Sequence, residues 1–144
     1  MRSTYLPHLA TIENVEEDTY DTKTFRLALE DGEGLKSALP GQFVELSVFG
    51  AGEAPFCIAS PGVENGRLEI TVRRVGVVTE ALHALGPREV VGVRGPLGNH
   101  WPFEEVAGRD ILFVGGGIGL PPLQSLLLKM LRERSKFGRI IVLY

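Results

Sequence analysis

The apolar residues of this chain change period once, and that change constrains the fold more than any other feature. Up to about residue 105 they alternate in twos, as in Phe25, Leu27 and Leu29, then Val44, Leu46 and Val48, then Leu68, Ile70 and Val72. Alternation of this kind puts one face of a strand in a core and the other in solvent. Strands are therefore expected at 24–29, 43–49 and 68–73, with three more at 10–15, 56–59 and 90–93. Turn chemistry separates them at Asp31-Gly32, Pro40-Gly41, Pro61-Gly62 and Asn65-Gly66. Six antiparallel strands at this spacing predict a closed or nearly closed barrel, which removes exposed sheet edges. One short helix is expected at 78–85, burying Val78, Ala81, Leu82 and Leu85, with Thr79 as its cap.

After Gly108 the spacing changes. An apolar run at 111–114 is followed by a glycine cluster, and Leu123, Leu126, Leu127, Met130 and Leu131 then recur at helical intervals before a second run at 140–143. This predicts strand, helix, strand, joined by a right-handed crossover. Pro121 or Pro122 suits the first helical turn, and Arg132, Arg134 and Lys136 suit its C-terminal end. A parallel pair with one helix cannot cover both faces of its sheet. Residues 106–144 are therefore expected to be part of a second domain, incomplete here, which docks on the barrel of residues 1–105 or self-associates through its sheet.

Composition narrows the classes of ligand. The net charge is −3, divided as −6 over residues 1–53 and +3 over 54–144, where most of the glycines lie. A modest basic surplus of this kind suits a small phosphorylated ligand better than nucleic acid, which usually needs a dense basic stripe. One cysteine, Cys57, excludes a disulfide framework and a multi-cysteine metal or iron–sulfur site within the chain, and no metal site is expected. No apolar run approaches the roughly 20 residues of a membrane span, and the first residues lack a signal-like core; the chain reads as cytoplasmic. Eighteen glycines without low-complexity tracts point to specific backbone positions.

Two of those positions are candidate anion sites. Gly115-Gly116-Gly117-Ile118-Gly119 lies between a strand and a helix, where backbone N–H groups and the helix dipole can hold a phosphate. It matches neither G-x-G-x-x-G nor a P-loop, which argues against an ATPase and leaves tight strand-to-helix packing as the plain alternative. Gly76-Val77-Val78-Thr79 opens the short helix and could hold a second phosphate, or be a simple Thr cap. Ala54-Pro55-Phe56-Cys57 leads into the fourth strand, where Phe56 and Cys57 should point to opposite faces. His100-Trp101-Pro102-Phe103 is expected to close one end of the barrel.

In this order, these motifs and Gly95-Pro96-Leu97-Gly98 resemble the ferredoxin–NADP reductase superfamily over almost the whole chain. The resemblance is strongest to the flavin-bearing gamma subunits of cytoplasmic hydrogenases and sulfhydrogenases (sulfur reductases), with dihydroorotate dehydrogenase electron-transfer subunits nearby. It implies a six-stranded antiparallel Greek-key FAD-binding barrel followed by a βαβ fragment of a Rossmann-like NAD(P)-binding domain. The family's Arg-x-Tyr-Ser element would place Phe56 on the isoalloxazine and Cys57, the catalytic candidate, near flavin N5, with Ile58 adjoining. Ala54 stands where that element has arginine, so the phosphate charge would fall to Arg73 or Arg74. Gly76, Val78 and Thr79 match the pyrophosphate turn, and Gly115, Gly116, Gly117, Ile118 and Gly119 match the first loop of the NAD(P) domain.

The implied function is flavin-dependent electron transfer between NAD(P)H and a hydrogenase, sulfur-reductase or other iron–sulfur partner. FAD would be the cofactor of this chain, and NAD(P) would belong to the complete protein. A [2Fe–2S] centre would be expected only in a segment beyond Tyr144. The alternative from a different class is a non-catalytic barrel used as an assembly module, with its glycines purely structural.

Overall fold

The computed structural model describes residues 5–31 and 35–144; Gly32 of the expected Asp31-Gly32 turn lies outside them. Six strands form one antiparallel sheet: β1 (His8–Glu17), β2 (Thr22–Leu29), β3 (Phe43–Val48), β4 (Gly52–Cys57), β5 (Arg67–Arg73) and β6 (Val90–Leu97). Their order, β4-β3-β6-β1-β2-β5, pairs β3 with β6 and β2 with β5 across long connections. The ends meet beyond β4, where Ile58 bridges Ile70 of β5 and the Ala59 N–H donates to Glu69 O at 2.8 Å. That contact turns the sheet into a barrel.

Alternation fixes what the barrel encloses. Phe25, Leu27, Val44, Leu46, Leu68, Ile70 and Val72 are all buried, with Ile12, Val91 and Val93 among their neighbours. Each such side chain is worth about 1.5–3 kcal/mol when removed from water. Asn65 and Gly66 both have positive φ, 51° and 73°, and they link the bonded pair Glu64 and Arg67. This is the two-residue hairpin turn that an Asn-Gly sequence favours.

Several element bounds differ from expectation. The fourth strand begins at Gly52 and ends at Cys57, because Ala54 and Pro55 pair with Leu46 and Glu45 although their composition carries little strand signal. The short helix α1 (Val77–His83) starts one residue earlier and has Gly76, not Thr79, as its N-cap. Its Leu82 is fully buried in the barrel core.

The second unit is β7 (Ile111–Val114), a short 3-10 turn at Gly117–Gly119, α2 (Leu120–Arg132) and β8 (Ile140–Leu143). The strands pair in parallel, Ile111 with Ile140 through Val114 with Leu143. Leu126 and Met130 of α2 pack with Phe103, Phe113 and Phe137 in a separate core, whereas Leu131 of the expected stripe is half exposed. Trp101 and Phe103 therefore part company. Phe103 joins the second core, and Trp101 lies on the barrel end against Gly41, where a Cβ would come within 2.8 Å of its ring. Gly41 also holds φ at 100°, so glycine is required there twice over.

The contacts that tie α2 to the barrel include the Trp101 indole N–H reaching Pro122 O at 3.4 Å and the pairing of Arg132 with Glu64. Among the described residues no helix is long and apolar enough to cross a membrane.

Candidate functional site

A cleft runs between the barrel and the second unit. One part of it, a cavity of about 410 Å³, is lined by Ala54, Phe56 and Cys57 from β4, Arg73 from β5, Thr79 from α1 and Ile118 from the glycine loop. An adjoining cavity of about 390 Å³ shares Thr71, Arg73, Ile118 and Pro121 with the first and adds Gly117, Asp18 and Asp21. Residues far apart in sequence thus meet at one place. Arg73, on the last position of β5, belongs to both cavities.

Phe56 and Cys57 follow the alternation of β4. Phe56 is half-buried and packs against the barrel core, while Cys57 is exposed, yet both border the same cavity. Partial desolvation pushes the Cys57 thiol above the ordinary thiol range, so it is a neutral S–H at pH 7. Ile58 faces the other way. Its side chain is buried in the barrel core and its N–H donates to Gln42 O at 3.1 Å, which removes it from direct reach of the cleft.

The two candidate arginines separate clearly. Arg73 is about half exposed, with a side-chain accessibility of 52%, and pairs with Asp21 at 3.1 Å through Nε. Arg74 is exposed and borders neither cavity; its backbone N–H donates to Asp21 O at 2.7 Å. At the α1 turn the Thr79 hydroxyl is saturated. It accepts from the N–H groups of Val75 and Gly76 at 2.8 and 2.9 Å and donates to Gly76 O at 2.8 Å. Thr79 therefore shapes the turn. The donors left there are backbone N–H groups ahead of Glu80, whose own N–H opens the helical ladder by bonding Gly76 O. Val78 packs against the barrel core.

The glycine loop is similarly divided. Gly115 donates its N–H to Leu143 O at 3.0 Å, and a Cβ there would press on Leu123 at 3.1 Å, so close packing explains that glycine. Gly117 has φ of 52°, and its carbonyl accepts from the Tyr144 hydroxyl at 3.3 Å. Gly116 and Gly119 face open space, and the Gly119 N–H closes back on Gly116 O. Only Gly117 and Ile118 of the five line the cleft.

Sequence reasoning missed the residues behind Arg73. Asp21 and Thr19 lie in the β1–β2 turn and Thr22 opens β2, and the pairing of Thr22 with Arg73 brings them to the cleft. Among the described residues no group of three or more His, Cys, Asp or Glu side chains could hold a metal ion.

Residues 9–101 match the family described as the oxidoreductase FAD-binding domain. The chain is 38% identical over 138 residues to the sulfhydrogenase 1 subunit gamma of Pyrococcus furiosus, an alignment spanning 94% of this chain and 47% of that protein. It is 40% identical over 120 residues to a probable dihydroorotate dehydrogenase B (NAD(+)) electron transfer subunit of Methanocella arvoryzae, spanning 83% and 42%. Among solved structures, the Amycolatopsis cytochrome P450 reductase shares 32% identity at a TM-score of 0.77, covering 94% of this chain and 43% of that one. An NADH-dependent reduced ferredoxin-NADP oxidoreductase shares 27% at a TM-score of 0.77, covering 99% and 49%. The chain spans about half the length of the curated relatives it matches.

Proposed function

The chain belongs to the oxidoreductase FAD-binding domain family, and from that premise we propose that it supplies the FAD site of an electron-transfer flavoprotein. The observation that carries this reading is the meeting of Phe56, Cys57, Arg73 and Thr79 in one cleft. The donor set fits the group: an apolar wall for a flat ring, a neighbouring thiol, and an arginine whose terminal nitrogens have no partner among the described residues and suit a diphosphate. When bound, FAD supplies the redox chemistry, accepting a hydride and releasing electrons singly.

The chain's own residues bind and orient. Phe56 offers its ring, backed by the barrel core, as a stacking surface. Cys57, held neutral, would offer a bound flavin a weak S–H donor. Arg73 takes the charge that arginine would supply at position 54, since Ala54 and Arg73 border the same cavity. The backbone N–H groups at the start of α1 add donors of their own. Gly117 and Ile118 form the opposite wall, where NAD(P) would approach.

In the whole protein we assign residues 1–105 to the FAD-binding unit and 106–144 to part of the NAD(P)-binding unit. NAD(P)H and an iron–sulfur, hydrogenase or sulfur-reductase subunit are its proposed redox partners. A [2Fe–2S] centre would need thiolates that a chain with one cysteine lacks. The competing reading, a barrel that only assembles, draws on the alanine at position 54. Titrating the purified chain with FAD separates the two: quenched flavin fluorescence and a shifted visible band support the flavin reading, and an unchanged spectrum in excess FAD defeats it.

A further inference from the structure

A carboxylate stands behind Arg73 that the proposed flavin site does not use. Asp21 lies in the turn between β1 and β2, and the pairing of Thr22 with Arg73 sets it beside the end of β5. Arg73 donates from Nε to Asp21 Oδ2 at 3.1 Å. The other carboxylate oxygen, Oδ1, accepts from the hydroxyls of Thr19 at 2.9 Å and Thr22 at 3.0 Å. The backbone closes on the same point. The Arg74 N–H donates to Asp21 O, and the N–H groups of Asp18 and Thr19 both donate to Thr22 O.

The carboxylate is thus fixed by two hydroxyls and a closed turn, with only 18% of its side chain accessible against 52% for the arginine. The arginine is held by one edge. Its two terminal nitrogens have no hydrogen-bond partner among the described residues, and the side chain borders both cavities of the cleft. An arginine free to move would lose its rotamer freedom on taking a phosphate, whereas one already clamped through Nε keeps its fork for the ligand.

We propose that Asp21 is a positioning residue for diphosphate recognition, clamping Arg73 by Nε so that its terminal nitrogens are left for the phosphates. The proposal rests on the reading that Arg73 takes the diphosphate of FAD. A carboxylate so close could instead cancel the arginine's charge and weaken anion binding. Asparagine separates these effects, because its carbonyl keeps an acceptor for Nε and removes the charge.

The experiment measures dissociation constants for FAD and for riboflavin, which has no diphosphate, by flavin fluorescence quenching, with circular dichroism as the check on folding. Asp21→Ala should weaken FAD about tenfold while riboflavin changes less than about twofold, and Asp21→Asn should stay within about threefold of the parent. Arg73→Gln should weaken FAD selectively, and adding Asp21→Ala to it should cost nothing more. If Asp21→Ala unfolds, the pair Thr19→Val and Thr22→Val, which frees the carboxylate but keeps it, should weaken FAD about threefold.

Tighter FAD binding by both Asp21 variants overturns the proposal in favour of charge cancellation. FAD affinity unchanged in a folded Asp21→Ala, or a loss that adds in full to that of Arg73→Gln, overturns it as well. Parent-like FAD binding by Arg73→Gln removes the underlying assignment of Arg73, a failure distinct from these.

Discussion

At Cys57 a single side chain joins the strand pattern to the proposed chemistry. Alternation along β4 turns Phe56 toward the core and leaves Cys57 exposed, as the sequence spacing led one to expect. The raised thiol makes a pH prediction with a definite sign. Only the thiolate reacts with iodoacetamide, so alkylation of Cys57 should be slow at pH 7 and should still be accelerating with pH where an ordinary thiol has levelled off. Saturating FAD should protect it; mass spectrometry of the alkylated chain, with and without FAD, reads both effects. At this scale the sequence was informative wherever position along a strand decides direction. Ile58 shows where it ran out: alternation turns its side chain inward with that of Phe56, but nothing in the local pattern reveals that the residue bridges to Ile70 of β5 and closes the barrel. Thr79 is a second case. A threonine near a helix start signals a cap, but the spacing does not say that its hydroxyl is saturated by Val75 and Gly76.

Among the elements, α1 illustrates how much of a helix can depend on one hydroxyl. Seven residues are too few to be stable alone, so the turn before them must be held. Thr79 bonds the backbone at Val75 and Gly76, and at the far end the His83 ring meets Val72 O at 2.8 Å. Thr79→Val keeps the shape and strands two N–H donors; it should destabilise the chain by about 1–3 kcal/mol in urea unfolding. It should also weaken FAD more than riboflavin if the turn serves the diphosphate. The strands with an alternating buried face, the short helix and the strand-helix-strand tail were legible, whereas the fourth strand was misplaced, because Gly52–Cys57 buries no periodic face. The cross-strand register was not legible. Asp21 reaches Arg73 only through the pairing of β2 with β5, a contact between segments some fifty residues apart (|i−j| = 52) that no local pattern encodes. The same long-range pairing makes Arg73, and not its neighbour Arg74, the arginine of the cleft.

For the molecule as a whole, the arrangement of two packed cores matters most. Among the described residues the barrel core and the cluster of Phe103, Phe113, Leu126, Met130 and Phe137 share no buried residue, and the ties between the two units include one ion pair and one indole hydrogen bond. The outer sides of β7 and β8 leave Leu112, Val114, Ile141 and Leu143 uncovered, so that unit gains less from burial than the barrel does. Cooperative units of unequal packing open at unequal free energies. Amide hydrogen exchange should therefore find β7, α2 and β8 losing protection together, before the barrel strands, with Phe25 and Ile70 among the slowest amides. A single exchange rate shared by both groups would show that the chain opens as one body. If the units do open separately, the wall of the cleft carried by Gly117 and Ile118 belongs to the less protected one. Access to the proposed flavin site would then have an energetic threshold of its own, below that of global unfolding, and a ligand of the cleft could exchange while the barrel remains intact.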